Sequence, residues 1–416
     1  MYDWANSVYS LVITSSLFPV YYGLVTKGTG GKEVSFFGFS VLSSALFSFA
    51  VSISFLLAGL ASPWLTALSD IGNLRKRLLM LFCILGATAT ASLTFFNGAN
   101  LEYGILIFML AALGFSGSIV FYNSYLPTVA SPDRYDKVSA RGFAFGYVGS
   151  VVLLLLILMP VLLPGIFSGL ELTFKQVCRI GFVLTGLWWM GFGLNAIRQF
   201  PTTASDSAQN TIHWRMVKAR FFEALEVVKA TPYLRSFLTG FFFINMGVQT
   251  VMYLAALFGD QELHMEANSL IVTILILQLV AIGGALGFAS LAQSIGEIRT
   301  LLLAAVLWIV VCILAFLIQT PMQFYGVAAL VGLVMGGTQS LMRSTFSSFV
   351  PTSESGKSAL FGFYDLLEKF SLVIGTAVYG LVNQLTGSMR HSSLALAVFF
   401  LVGGLILTGV KRRSRI

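Results

Sequence analysis

Residues 101–126 read LEYGILIFMLAALGFSGSIVFYNSYL, and Glu102 is the one charged side chain among them. A helix needs about 20 apolar residues to cross the ~30 Å hydrocarbon core of a bilayer. The segment is long enough, and it lacks the alternation of apolar and polar residues that is typical of a transmembrane β-strand. It therefore predicts a membrane-spanning helix.

Similar segments recur along the whole sequence. The 416 residues are 57% hydrophobic and 10% charged, whereas a soluble domain carries roughly 25% charged residues. The predicted fold class is therefore an all-α membrane protein with about twelve transmembrane helices in two six-helix bundles. The approximate limits of these helices are 5–25, 37–68, 77–96, 102–126, 141–163, 178–199, 233–258, 269–292, 299–319, 323–345, 358–382 and 391–410.

The distribution of positive charge predicts the orientation of these helices. If the N-terminus is cytoplasmic, nineteen of the 25 Lys and Arg residues lie in loops on that side, five lie opposite, and Lys369 lies inside a span. This asymmetry predicts a multi-pass protein of the cell inner (cytoplasmic) membrane, with both termini cytoplasmic. Because the net charge of +8 sits in short segments between apolar runs, no nucleic-acid partner is expected. The first ten residues do not resemble a signal peptide.

One substantial interruption divides the sequence into an N-terminal bundle (1–199), a linker (200–232) and a C-terminal bundle (233–416). Within the linker, apolar side chains repeat at helical spacing on one face, namely Val217, Phe221, Leu225 and Val228. This pattern predicts an amphipathic helix on the cytoplasmic membrane surface. The alternative is a solvated helix that only joins the two bundles.

The two bundles carry a weak internal repeat. SARGF (139–143) and SALFGF (358–363) each follow the fourth helix of their half, and Pro127 and Pro351 precede them. Two parallel repeats of six helices are the plan of major facilitator transporters. The loop LSDIGNLRKR (68–77) also resembles the Gly/Asp/Arg loop of that superfamily.

This loop predicts a conformational latch. Its charged residues are Asp70, Arg75, Lys76 and Arg77. The carboxylate can pair with the neighbouring cations, or lie at the positive N-terminal end of another helix, and either contact would hold one face of the protein closed. The alternative is an ordinary positively charged cytoplasmic loop.

Five further segments have a distinctive sequence: YDWANSVYS (2–10), GFAFGYVGS (142–150), GVQTVMYLA (247–255), GGTQSLMRSTFSSFVP (336–351) and FGFYDLLEKFSLVIG (361–375). Together they resemble the vacuole effluxer, autophagy-related branch of the major facilitator superfamily, including its bacterial members. The resemblance implies a twelve-helix transporter of bacterial type and, for eukaryotic members, export of amino acids from the vacuole. Members often have an acid before the glycine of the seventh helix, where this sequence has Met246, so coupling through that acid is not expected here.

Three charged residues fall within the predicted helix 358–382 and form a predicted proton-coupling group: Asp365, Glu368 and Lys369. A lipid-facing charge near the bilayer midplane costs at least ~2.5 kcal/mol, so these side chains must face protein or water. Asp365 and Lys369 have the i, i+4 spacing of an ion pair. Glu368 is left as the acid that carries a coupling proton. The alternative is a fully paired structural cluster that joins this helix to the second or tenth.

Polar side chains on the helices that line the cavity in this superfamily are the predicted solute ligands. They are Asn6, Tyr9, Tyr122, Asn123, Asn245, Gln249, Gln339, Arg343 and Tyr364. Amides both donate and accept hydrogen bonds, which suits a zwitterion, and an arginine can clamp a carboxylate bidentately. Alternatively, Arg343 anchors its helix at the cytoplasmic surface, and the other side chains hydrogen-bond between helices.

The sequence has no Walker loop, HExxH or paired CxxC motif, and no cofactor, metal or enzymatic activity is predicted. The predicted function is secondary active transport of a small polar or zwitterionic solute, with amino acid export suggested by the resemblance. We also predict that the protein works by alternating access, couples transport to protons and is a monomer. The alternative function is a non-transporting membrane sensor or lipid-handling scaffold with the same fold.

Overall fold

The structure is a computed structural model that describes residues 1–26, 33–72, 74–163, 165, 172–201, 213–350 and 357–410. Residues 202–212 of the predicted linker lie outside the described residues. So do Pro351 and several basic residues that enter the charge count, namely Lys27, Lys32 and those of 411–416.

The first membrane span is continuous but changes its helical type. It consists of α1 (Tyr2–Val8), a π-helical stretch (Tyr9–Leu17) and α2 (Phe18–Thr26). The long helices that follow are α3 (Ser43–Gly72), α4 (Arg75–Ser92), α5 (Leu101–Asn123), α7 (Tyr135–Leu162), α8 (Phe174–Arg198), α10 (Pro232–Leu263), α11 (Ala267–Ile295), α12 (Glu297–Leu317), α13 (Pro321–Phe349), α14 (Lys357–Thr386) and α15 (Met389–Thr408). The remaining elements are β1 (Glu33–Phe36), β2 (Phe39–Leu42), α6 (Leu126–Val129), α9 (Trp214–Ala230) and two short 3₁₀ turns.

These helices confirm the predicted all-α membrane fold. Among the described residues, eleven helical segments are long and apolar enough to cross a membrane. The helix α14 has 30 residues, which is ample length for a twelfth crossing, but it carries the three charges Asp365, Glu368 and Lys369. At 17 residues with alternating charges, α9 has neither the length nor the composition of a span.

Two helix starts differ from the sequence prediction. The helix predicted at 37–68 begins at Ser43, because residues 39–42 pair with residues 33–36 in an antiparallel hairpin. Phe37 and Gly38 form its two-residue turn, both with positive φ. The helix predicted at 141–163 begins at Tyr135, because its polar first turns extend beyond the apolar run from which the prediction was made.

The chain folds into two compact units. The first comprises Met1–Ala58, Lys76–Tyr122 and Phe145–Thr202. Its core is aromatic: Phe18 stacks on Phe108 with ring centroids 4.3 Å apart, and the Trp189 ring is fully buried. A Cβ atom at Gly86 would lie 2.2 Å from that ring, so glycine is required for this close approach.

The second unit comprises Gly59–Arg75, Asn123–Ala144 and Thr203–Ile416. It therefore combines α10–α15 with the final part of α3 and the first part of α7. Glycines allow close helix packing here too, since a Cβ at Gly336 would lie 2.2 Å from the backbone oxygen of Ala281. The division into 1–199, 200–232 and 233–416 remains a prediction.

Candidate functional site

The predicted ion pair of α14 is present and buried. The Lys369 Nζ atom lies 2.9 Å from Asp365 Oδ1, and the two residues are 5% and 2% exposed. The hydroxyl of Ser62 on α3 donates a hydrogen bond to the second carboxylate oxygen of Asp365. Gly59 makes room for the lysine, because a Cβ there would lie 2.9 Å from the Lys369 Cβ. The pair therefore joins α14 to α3 with both charges compensated.

Glu368 lies one turn from this pair but has different surroundings. Its side chain is half-buried, and its Oε1 atom accepts a hydrogen bond of 3.2 Å from Gln249 Nε2 on α10. Within the described part of the chain, Glu368 makes no ion pair with a lysine or arginine. Among Asp365, Glu368 and Lys369, it is the residue that makes no ion pair among the described residues.

Three of the amides predicted to bind solute lie on α10 and α13, namely Asn245, Gln249 and Gln339. Asn245 is buried, and its Nδ2 atom donates to Ser371 Oγ at 2.6 Å, which is a contact between helices. Gln249 and Gln339 are half-buried, and Gln339 Nε2 lies 3.1 Å from the Met252 sulfur. Gln249 is hydrogen-bonded to Glu368, and Gln339 contacts the same helix α10; we call these three side chains of the second unit the α10–α13–α14 wall.

Arg343 near the end of α13 is engaged by two other helices. Its Nε and Nη2 atoms donate to Ser139 Oγ and to the Ser139 carbonyl, each at 2.9 Å. Its Nη1 atom donates to Asn123 Oδ1 at 3.3 Å, and its guanidinium lies 4.3 Å from the centroid of the Phe143 ring. Arg343 is 5% exposed. Two predicted solute ligands, Arg343 and Asn123, therefore contact each other at the junction of α13 with α5 and α7.

Sequence reasoning missed the serines and the aspartate that complete these contacts. Ser344 donates to Asp136 Oδ1 at 2.5 Å, and Ser139 donates to the Ser340 carbonyl at 2.7 Å. Serine carries no charge and little periodic signal, so composition did not reveal these residues. The available signal was their position, since Ser139 opens SARGF and Ser344 lies within GGTQSLMRS.

Asp70 lies at the start of α14. Its carboxylate accepts hydrogen bonds from the backbone N–H groups of Ser358 at 3.3 Å and Ala359 at 2.9 Å. A carboxylate at this position is stabilised by the positive end of the helix dipole. Arg75 lies 3.9 Å from Asp70 and also donates to the Ser124 carbonyl at 3.4 Å. Of the two contacts weighed for Asp70, the one with a helix N-terminus has the shorter distances.

The other two cations of this loop contact different surroundings. Lys76 donates to the carbonyls of Arg198 at 3.1 Å and Phe200 at 2.8 Å, which lie at the end of α8. A positive charge is favoured there by the helix dipole. Arg77 is exposed.

Of the three predicted ligands in the first unit, Asn6 and Tyr9 are deeply buried and Tyr122 is half-buried. Asn6 and Tyr9 are 2% and 1% exposed, and the Tyr9 ring packs against Phe115 with centroids 5.0 Å apart. Tyr122 donates a hydrogen bond to the carboxylate of Asp3.

Tyr364 lies in the second unit, between two phenylalanines. Its ring stacks on Phe241 with centroids 4.2 Å apart and on Phe346 at 4.7 Å. The tyrosine is 5% exposed, so this aromatic stack holds its ring among α10, α13 and α14.

Comparison with known protein sequences gives one family and several similar relatives. The profile of the family described as "Vacuole effluxer Atg22 like" matches residues 1–415. The uncharacterized MFS-type transporter YxiO of Bacillus subtilis is 28% identical over 414 residues, which cover 100% of this chain and 94% of YxiO. Autophagy-related protein 22-1 of Penicillium rubens is 24% identical, with 92% of this chain and 78% of that protein covered.

Solved structures match the fold over nearly its full length. The crystal structure of the human organic anion transporter MFSD10 (TETRAN) aligns with a TM-score of 0.68 at 14% identity, covering 98% of this chain and 96% of that one. The major facilitator transporter FucP in its outward conformation gives a TM-score of 0.64 at 13% identity, covering 99% and 97%. At these identities the matches show the major facilitator fold.

Proposed function

From the premise that this chain belongs to the vacuole effluxer Atg22-like family of MFS-type transporters, we propose that it moves a small polar or zwitterionic solute by alternating access. Amino acids are the first candidates, and export is the proposed direction, because the family is described as effluxers. We further propose that the protein acts as a monomer in the inner membrane, with both termini cytoplasmic.

The observation that carries this proposal is the half-buried carboxyl side chain of Glu368, which hydrogen-bonds to Gln249. The residue lies about 16 Å along α14, since each helical residue rises 1.5 Å. A carboxylate at such a depth costs at least ~2.5 kcal/mol when it faces lipid, and ionisable residues there typically mark a substrate or ion pathway. Its contact with Gln249 rather than a cation supports a role in solute movement rather than in helix association.

The α10–α13–α14 wall also supports the class of solute. Gln249 and Gln339 each offer an amide that donates and accepts hydrogen bonds, as the ammonium and carboxylate of a zwitterion require. Arg343 supplies no carboxylate clamp in this conformation, because its guanidinium donates to Ser139 and Asn123. If the conformational change releases these contacts, Arg343 becomes available on the other side of the cycle.

Proton coupling is assigned to Glu368. Uptake of a proton neutralises this carboxylate and removes the cost of enclosing its charge when the two bundles rock. The Asp365–Lys369 pair remains neutral overall and holds α14 to α3. The Asp70 cap and the contacts of Arg343 hold α3, α5 and α7 against α13 and α14 on the predicted cytoplasmic side, and must break for that side to open.

The proposal is tested in proteoliposomes that contain a trapped pH indicator. Wild-type protein and Glu368→Gln are challenged with an amino acid panel, with Glu266→Gln as the matched control because Glu266 is exposed. We expect solute-driven proton movement in the wild type and the control, and loss of it in Glu368→Gln. Unchanged proton movement in Glu368→Gln would remove this residue from coupling. Failure of every solute to move would favour the sensor or scaffold alternative.

A further inference from the structure

We infer that the Glu368 carboxylate binds an ammonium group of the solute directly, so that solute amine and proton compete for one site and are exchanged. This inference rests on the proposed transport function and narrows its solute to amines. It concerns the α10–α13–α14 wall, where charge, exposure and hydrogen bonding all point to the same ligand chemistry.

Glu368 is the acidic side chain of this wall, and the neighbouring cations contact other groups. Lys369 is compensated by Asp365 at 2.9 Å, and the Arg343 guanidinium is enclosed by Ser139 and its neighbours. Glu368 makes no ion pair among the described residues. A ligand group that reaches Glu368 therefore meets a carboxyl group without a direct cationic partner among the described residues, which favours a cationic group over an anionic one at that position.

The carboxylate of Glu368 also has room for a further donor. An ionised carboxylate offers about four acceptor positions, and from the part of the chain that the structure describes one hydrogen bond reaches it, from Gln249 Nε2 at 3.2 Å. The side chains of Glu368 and Gln249 are half-buried, so both remain partly accessible. An ammonium group, with three N–H donors, fits the remaining positions, and the Gln249 amide fixes the orientation of the carboxylate.

Competition with a proton follows from the use of a single carboxylate. When the carboxyl of Glu368 is protonated, its charge is gone and the ammonium loses its counter-ion. Before the ammonium binds, the carboxyl proton leaves to solvent, and an N–H group of the ammonium then takes the position of that proton. No covalent bond to carbon or nitrogen is made or broken. For a monovalent amine, each cycle carries one proton in one direction and one ammonium in the other, so that a proton gradient drives amine export.

The neighbouring charged and titratable groups do not imitate this behaviour between pH 5 and 8. Those that interact electrostatically with Glu368 are Tyr253 on α10, Arg343 on α13, and Tyr364, Asp365 and Lys369 on α14. Tyrosine, arginine and lysine do not ordinarily change charge in this range, and the Asp365 carboxylate lies 2.9 Å from the Lys369 ammonium.

The test compares three five-carbon probes that differ in their end groups: cadaverine with two ammoniums, 5-aminopentanoate with one ammonium and one carboxylate, and glutarate with two carboxylates. Thermal stabilisation of the full-length protein in detergent reports binding, because a ligand stabilises the state that it binds. We expect stabilisation by cadaverine and 5-aminopentanoate but not by glutarate. Glu368→Gln should abolish it, Glu368→Asp should retain part of it, and Glu266→Gln should match the wild type.

The dependence on pH provides the second readout. Below the pKa of the Glu368 carboxyl, each further pH unit lowers its ionised fraction tenfold and should raise the apparent Kd for cadaverine tenfold, and the shorter acid of Glu368→Asp should keep this dependence. Equal stabilisation by glutarate, amine stabilisation that survives in Glu368→Gln, or no response to either amine would overturn the inference. Coupled transport of a neutral or anionic solute would then leave the proposed function standing without an amine site.

Discussion

Trp64 on α3 and Phe221 on α9 stack face to face, with ring centroids 4.2 Å apart and ring planes 3° apart. Phe221 also contacts Phe363 on α14, at 5.2 Å between centroids, and Val217 on the same face of α9 is 1% exposed. The sequence predicted that the apolar face of α9 lies on the membrane surface. In the structure this face packs against α3 and α14 instead. Phe222, the next residue, is 55% exposed.

Replacing Phe221 with alanine should loosen α9 from the protein. The substitution removes the ring contacts with Trp64 and Phe363, and we expect a loss of about 2–3 kcal/mol in the free energy of unfolding, somewhat less than the ~3–5 kcal/mol typical of a fully buried phenylalanine. Met216→Ala, at a residue of α9 that is 42% exposed, is the control and should change stability by less than ~0.5 kcal/mol. Thermal unfolding in detergent measures both. Equal losses in the two variants would mean that the stack with Trp64 does not hold α9.

Replacing one member of the Asp365–Lys369 pair should destabilise the protein far more than replacing both members together. Lys369→Met leaves a buried carboxylate without its counter-ion, for which we expect a loss of about 3–5 kcal/mol. The double substitution Asp365→Leu with Lys369→Met removes both charges and should recover most of that stability. A double variant as unstable as Lys369→Met would show that the loss comes from packing against Gly59, rather than from an uncompensated charge.

The sequence predicted this pair because its geometry is local. Residues at i and i+4 lie on the same face of any helix, so the spacing of Asp365 and Lys369 was sufficient. The partner of Arg343 could not be found in this way, because Ser139 is 204 positions away along the chain. Only the tertiary arrangement brings a serine of α7 to an arginine of α13.

The same distinction explains which parts of the fold were predicted. Long apolar runs specify membrane-spanning helices without reference to anything but the bilayer, and these predictions are confirmed. The hairpin of β1 and β2 was missed, because Phe39–Leu42 is an apolar stretch directly continuous with the run of α3. A short apolar segment does not distinguish a strand from a helix by periodicity alone.

Asp70 should stabilise the start of α14 as a helix cap. Asp70→Ala removes the acceptor for the backbone N–H groups of Ser358 and Ala359, for which we expect a loss of about 0.5–2 kcal/mol. Asp70→Asn keeps an acceptor but loses the charge, so its stability should lie between that of the wild type and that of Asp70→Ala. Amide hydrogen exchange at the start of α14 should become faster in Asp70→Ala and stay unchanged in Asp133→Asn, whose carboxylate is exposed. Unaltered exchange in Asp70→Ala would contradict the capping role.

A double-mutant cycle distinguishes two roles for Arg343: joining α13 to α7, or binding a solute carboxylate. If it joins α13 to α7, Arg343→Lys and Ser139→Ala should each destabilise the protein, and their effects should be non-additive by about 0.5–3 kcal/mol, because they remove the same hydrogen bonds. Ser139→Ala retains the carbonyl that accepts from Nη2, so its own loss should be the smaller one. If Arg343 instead binds a solute carboxylate, Arg343→Lys should weaken solute binding while Ser139→Ala leaves it unchanged, and the stability effects should add. Since the guanidinium is 5% exposed and donates to Ser139 through two of its nitrogen atoms, we expect the non-additive result.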